Sequence, residues 1–134
     1  MVMWRKIGLR IAIPTEGNGG LDNFVSQHFG HAPVFTIFDT ETNEVERLPN
    51  QGLHRGGMGY PPEHLVRAKV DVMVCGGLGQ RAIQMFEQFG IEVYVGASPM
   101  ETVGAAIKKY QSGKLQMATD ENACREHRFR RHEH

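Results

Sequence analysis

The sequence predicts an α/β domain built on one mixed sheet of five strands flanked by helices. Three observations carry this. Early apolar stretches alternate with period two and are joined by short polar turns, as antiparallel strands are. Later stretches alternate with helical patterns, as right-handed parallel crossovers require. Residues 70–75, VDVMVC, form a nearly continuous apolar run, which marks a central strand buried on both faces.

Taken in order, Ile7, Leu9, Ile11 and Ile13 alternate with Gly8, Arg10 and Ala12, giving a first strand that Pro14 ends. Residues 15–33 form a long loop with four glycines and two histidines, in which Phe24, Val25 and Phe29 tuck onto the core. Val34 to Phe38 is a second strand, and residues 39–43 read as a turn. Glu44 to Leu48 alternates charged with apolar groups, as a half-exposed edge strand does. Residues 49–62 are a second glycine-rich loop. Glu63 to Lys69 is a short helix, with Pro61 and Pro62 suited to its first turn.

The central strand at 70–75 runs directly into Gly76-Gly77-Leu78-Gly79. Residues 80–89 place Ala82, Ile83, Phe86 and Phe89 on one helical face, and Gly90 stops that helix. Ile91 to Val95 is the next strand. Ser98-Pro99-Met100-Glu101 has the form of a capping box, which predicts a helix opening at Pro99. Its inward stripe is Val103, Ala106, Ile107 and Tyr110. Lys108 and Lys109 stand near its negative end, and Gly113 ends it. Residues 114–134 carry little pattern. The expected organisation is a domain at 1–116 and a flexible tail at 117–134, rich in Cys, His and Arg and dispensable for folding.

A chain of 134 residues, 40% hydrophobic and 22% charged, is neither disordered nor collagen-like. Fifteen basic and fifteen acidic side chains cancel, so the whole chain has no electrostatic footprint for nucleic acid or an anionic membrane. The balance is uneven, because the last ten residues carry a net +2. Two cysteines, Cys75 and Cys124, make no disulfide framework and fit a reducing compartment. No apolar run approaches the ~20 residues of a membrane span, and the first residues have no signal-peptide pattern. The expectation is a cytoplasmic protein.

Ligands of open α/β sheets bind beyond the carboxyl ends of the parallel strands. The segments 15–31, Gly76–Gly79 and Ala97–Ser98 leave such ends. Glycines admit close approach of backbone N–H groups, and helix N-termini favour anions, so an anion pocket walled by loops is expected there. Gly76, Gly77 and Gly79 alone serve equally as a tight turn. Ser26-Gln27-His28-Phe29-Gly30-His31 sets two imidazoles three residues apart, suited to a transition metal. The alternative for His28 is a hydrogen bond within its loop. In His54-Arg55-Gly56-Gly57-Met58-Gly59 the guanidinium suits an anion and the thioether a soft metal; the alternative is an exposed hinge. Cys124 and His127, with His132 and His134, suit loose metal capture by a solvated tail rather than a closed zinc site, since four arginines repel there. Cys75 is expected to be an inert core thiol.

Nucleophilic catalysis lacks a signature, with no G-x-S-x-G. Metal-assisted phosphoryl chemistry needs several convergent acids on adjacent strands. The first strand leads only to Glu16, while Asp39 and Asp71 sit at strand ends that need not converge.

RIAIP at 10–14, S-x-H-F-G-H at 26–31, VDVMVCGGLG at 70–79 and the last strand with its capped helix together resemble the dinitrogenase iron-molybdenum cofactor biosynthesis family, which includes NifX-like proteins and small stand-alone relatives. The resemblance covers about residues 9–116. It implies a three-layer ribonuclease-H-like fold without the nuclease carboxylates. It also implies noncovalent binding of an anionic metal-sulfur cluster or precursor, of Fe-Mo-S or Mo-Cu-S type, by a carrier that is not an enzyme. His28 matches the motif histidine that looks like the cluster ligand, with Phe29 and Gly30 its neighbours. His31 stands where many relatives have arginine, and Gly76, Gly77 and Gly79 match the second loop. Implied partners are proteins that donate or accept the cluster, with no nucleic acid and no membrane, the chain itself being a monomer or weak homodimer. The competing class is a hydrolase of ribonuclease-H type acting on nucleic acid or nucleotides.

Overall fold

The computed structural model describes residues 8–27, 32–50 and 61–118. Its elements are β1 (Arg10–Thr15), β2 (Val34–Asp39), β3 (Val45–Pro49), α1 (Pro61–Arg67), β4 (Val72–Cys75), α2 (Gln80–Gln88), β5 (Glu92–Val95), α3 (Val103–Gln111) and β6 (Gln116–Met117). They form one mixed sheet in the order β3-β2-β1-β4-β5-β6. The pairs β1–β4 and β4–β5 are parallel, and the others are antiparallel. β3 is an edge and β4 is interior, as apolar alternation in one and continuity in the other predict.

Period two assigns the two faces of the sheet. Ala12, Phe35, Ile37, Met73, Cys75 and Val93 pack with Leu65 of α1 and with Ile83 and Phe86 of α2. Ile11, Ile13, Val72 and Val74 pack with Val103, Ala106 and Ile107 of α3. The result is three layers, with α1 and α2 on one face and α3 on the other. No helix among the described residues is long and apolar enough to cross a membrane.

The structure corrects the expected fold in four places. The sheet has six strands rather than five. β6 is two exposed residues long and pairs Met117 with Tyr94 and Gln116 with Val95. So short a strand shows no periodicity. It takes in Met117, the first residue of the expected tail, and Ala118 beyond it is buried and donates its N–H to Val93 O at 2.8 Å. Pro14 lies inside β1 rather than ending it, opposite Phe35. An antiparallel ladder asks an N–H of alternate residues only, so a proline can keep its place; its carbonyl accepts from Ser26 N–H at 2.7 Å.

The third correction is the start of α3. Half of the box forms, with Ser98 N–H donating to Glu101 Oε2 at 3.2 Å, while Ser98 Oγ accepts from Met100 N–H at 3.0 Å rather than from Glu101. That box closes a turn, and the helix opens later at Val103 with Thr102 as N-cap. The reason is tertiary. Val25 N–H donates to Glu101 O, and Val103 and Gly104 N–H donate to Asn23 O and Leu21 O, which holds Thr102 extended at ψ 164°.

The last correction concerns residues 16–27, part of the long loop expected at 15–33, which are in part paired. They are pinned by bridges Thr15–Val25 and Phe24–Thr102 and by Glu16 N–H donating to Phe24 O at 3.0 Å. Asn23 Nδ2 donates to Gly19 O at 2.6 Å, and Gly20 N–H to Thr36 Oγ1 at 3.0 Å. Val25 is buried as expected, but Phe24 is 50% exposed. Neighbours in extended chain point to opposite sides, so seating Val25 turns Phe24 outward.

Candidate functional site

The parallel strands β1, β4 and β5 end together, at Thr15, Cys75 and Val95. Val34 opposite Thr15, and Pro49 opposite Val34, bring the start of β2 and the end of β3 to the same end of the sheet. The segments that follow Ser26, Asn50, Cys75 and Val95 therefore all leave from one side. His28, Phe29, Gly30 and His31 lie outside the described residues, as do His54, Arg55, Met58, Cys124 and His127. What the structure describes is the base on which the first two loops stand. Ser26 is buried beside Pro14. Asn50 is buried too, its Nδ2 donating to Ala32 O at 2.9 Å and its N–H to Pro33 O at 3.1 Å. One side chain thus ties the end of the first loop to the start of the second.

Gly76, Gly77 and Gly79 divide between the two readings. At Gly76 a Cβ would stand 3.1 Å from Ala97 O, and Gly76 O accepts from Gly96 N–H at 3.3 Å. Here glycine serves the close approach of two βα turns. At Gly77 and Gly79 a Cβ would meet nothing within 4 Å. Gly79 is the N-cap of α2, with no side-chain cap and no acidic residue in the first turn. A helix N-terminus in that state presents partial positive charge toward open space.

Cys75 closes β4 under this turn. Burial pushes its thiol up to about 12, while a bond from Gly77 N–H pulls the other way. It is a neutral core thiol, not a thiolate. Met100, 83% exposed, and Phe24 also reach this end of the sheet. Sequence reasoning missed both. Met100 extends the α3 apolar stripe by one turn, so period alone places it inward and no local signal marks its exposure.

Two carboxylates, Asp39 and Asp71, meet at the opposite end. Asp71 Oδ2 accepts the Arg10 N–H at 3.0 Å, and Arg10 Nη1 stands 3.7 Å from Asp39 Oδ2. The N–H groups of Glu41 and Thr42, then the Arg10 guanidinium, hold the Asp39 carboxyl below its ordinary value. Both acids converge on Arg10 at the amino end of β1, in bonds that close a turn and fix a strand. Among the described residues no group of three or more His, Cys, Asp or Glu side chains could hold a metal ion.

Comparison with known proteins agrees with this architecture. The orange protein of Desulfovibrio gigas, solved in its apo form, superposes with a TM-score of 0.70 at 28% identity, over 82% of this chain and 92% of that one. A NifB-like protein from Thermotoga, of the DUF35 family, superposes with a TM-score of 0.66 at 32% identity, over 81% and 92%. An uncharacterized protein of Methanocaldococcus jannaschii is 28% identical over 115 residues, 81% of this chain and 90% of its own length. Residues 9–113, from the residue before β1 to the glycine that stops α3, match the family described as dinitrogenase iron-molybdenum cofactor. The three-layer fold, the glycine turn after β4 and this match agree, and the chain belongs to the dinitrogenase iron-molybdenum cofactor family.

Proposed function

We propose that the chain binds an anionic metal-sulfur cluster or its precursor without covalent attachment and carries it between proteins, performing no chemistry on it. One observation carries the reading, the division of the sheet into two unlike ends. At the carboxyl end α2 begins at Gly79 with no side-chain cap from that residue, and a Cβ at Gly77 or Gly79 would meet nothing within 4 Å among the described residues. The acids Asp39 and Asp71 are tied to Arg10 at the other end. Partial positive charge suits a sulfide-bridged anion, whereas a hydrolase of ribonuclease-H type needs its acids together at the pocket. The family, and the names of the orange protein and the NifB-like neighbour, support a binding or carrier role related to the iron-molybdenum cofactor.

On this reading His28 ligates the cluster, with Phe29, Gly30 and His31 beside it. His54, Arg55 and Met58 close over it, and Gly76, Gly77 and Gly79 supply N–H groups. Cys124 and His127 hold metal only loosely from the tail. The cargo is of Fe-Mo-S or Mo-Cu-S type, the partners are proteins that give or receive it in the cytoplasm, and the chain works as a monomer or weak homodimer.

Anaerobic reconstitution with tetrathiomolybdate plus copper, or with iron and sulfide, followed by visible spectra, tests the reading. The parent is expected to retain a chromophore through gel filtration. His28→Asn keeps much of the hydrogen-bonding capacity and gives up the imidazole ligand. It is expected to melt within a few degrees of the parent and to lose most binding, with His31→Asn losing less and His127→Asn little. Undiminished binding by His28→Asn overturns the ligand assignment. A parent that retains no chromophore, yet cleaves a nucleic-acid or nucleotide substrate, overturns the carrier reading.

A further inference from the structure

Away from that site, between the carboxyl end of α1 and the β3 edge, lies a cavity of about 420 Å³ whose walls include Arg10, Glu46, Leu48, Arg67, Ala68 and Lys69. Arg10 opens β1, and Lys69 precedes β4. These cations thus stand at the amino ends of the parallel strands, and Arg10 lies roughly 17 Å from the carboxyl end of β1 at the rise of extended chain.

Arg10 fixes the walls. Its Nε donates to Ala68 O at 2.9 Å and its Nη2 to Glu46 Oε1 at 2.5 Å, so one guanidinium joins the α1–β4 connection to β3. The same pair occupies the charge of Glu46, the only acid among the lining residues. Arg67 and Lys69 are exposed, and neither forms an ion pair with a side chain described from His64 onward or in residues 8–27 and 32–50. Lys69 sits at φ +64°, donating its N–H to Val66 O at 2.9 Å, in the left-handed position that ends α1. Glycine is the usual residue there, so this lysine stands against its backbone preference.

The geometry points to this cavity as a binding site for a phosphate-class dianion, held by Arg67 and Lys69 with Arg10 behind them. An arginine fork and a lysine point charge on one cavity match two negative charges on a tetrahedral oxyanion. Leu48 and Ala68 add an apolar wall against which an ester's organic body can rest. The anion is either free phosphate or the phosphate of a small monoester.

The site is independent of the cluster reading and is tested on the apo protein. Backbone amide NMR of the full chain is followed while inorganic phosphate, glycerol 3-phosphate or acetate is added at constant ionic strength. Saturable shifts are expected at residues 46–48 and 67–70 with both phosphates and not with acetate. Equal affinity for the two phosphates identifies the free ion, and tighter binding of the ester identifies a monoester. Lys69→Gly suits φ +64° and so keeps the fold while removing one charge; it is expected to weaken binding by about tenfold, the loss of one charge-assisted hydrogen bond. Shifts that never saturate, acetate binding as tight as phosphate, or parent affinity in Lys69→Gly would each overturn the site and leave these cations as complements to the α1 dipole only.

Discussion

At Cys75 the chemistry is set by position. The thiol is buried under the turn after β4 and pushed up to about 12. Iodoacetamide at pH 8 is therefore expected to leave the native Cys75 peptide unmodified and to label it on unfolding, as read by mass spectrometry; rapid native labelling would contradict this. The folded thiol keeps its proton above 9.0 while the unfolded one loses it, so this residue lowers stability as pH rises from 9.0 toward about 12. Gly20 is constrained differently. Its φ is +102°, and a Cβ there would stand 2.7 Å from Arg47 Nη2. Gly20→Ala is expected to destabilise by about 1–2 kcal/mol in urea unfolding. Arg47→Ala in the same background should recover only part of that, because the contact is relieved and the backbone strain is not.

At the scale of elements, the beginning of α3 separates a local signal from its use. Thr102 caps Ala105 N–H at 3.2 Å. Thr102→Ala is expected to cost about 1 kcal/mol, whereas Ser98→Ala opens a turn outside the helix and should cost less. Equal losses in urea unfolding would return the cap to Ser98. β6 makes the second element-scale prediction. A chain ended at Gln116 loses the Met117–Tyr94 pair, the Ala118 bond to Val93 O and the burial of Ala118. It should melt below a chain ended at Ala118, which in turn should melt within a few degrees of the full chain. If both truncations matched the parent, β6 would contribute nothing.

Across the whole molecule, the first loop is part of the scaffold up to Ser26. The N–H groups of Glu16, Val25 and Ser26 bond to Phe24 O, Glu101 O and Pro14 O. These amides are expected to exchange with deuterium at rates close to those of β1, and fast exchange in the apo protein would contradict the bridges to α3. The arrangement ties the end of β1 to the β5–α3 connection through one loop.

Much of this was legible in the chain. The alternation of Ile11 and Ile13 with Ala12, the run from Val72 to Cys75 and the stripe Val103–Ala106–Ile107 determine strands, helices and buried faces, because each pattern is local and repeats with the backbone's own period. The glycine turn at 76–79 was legible for the same reason. Other features rest on contacts between residues far apart in sequence. Thr102 became the cap because Asn23 and Leu21 hold the next two N–H groups. Phe24 faces water because Val25 pairs with Thr15. β6 exists because Tyr94 and Val95 offer it an edge. Asp39 and Asp71, neutral as to place in the sequence, meet at Arg10 because β1 lies between β2 and β4. Periodicity decided what each segment is; only the assembled sheet decided which segments share an end, since strand order is set by pairings that no single stretch of sequence contains.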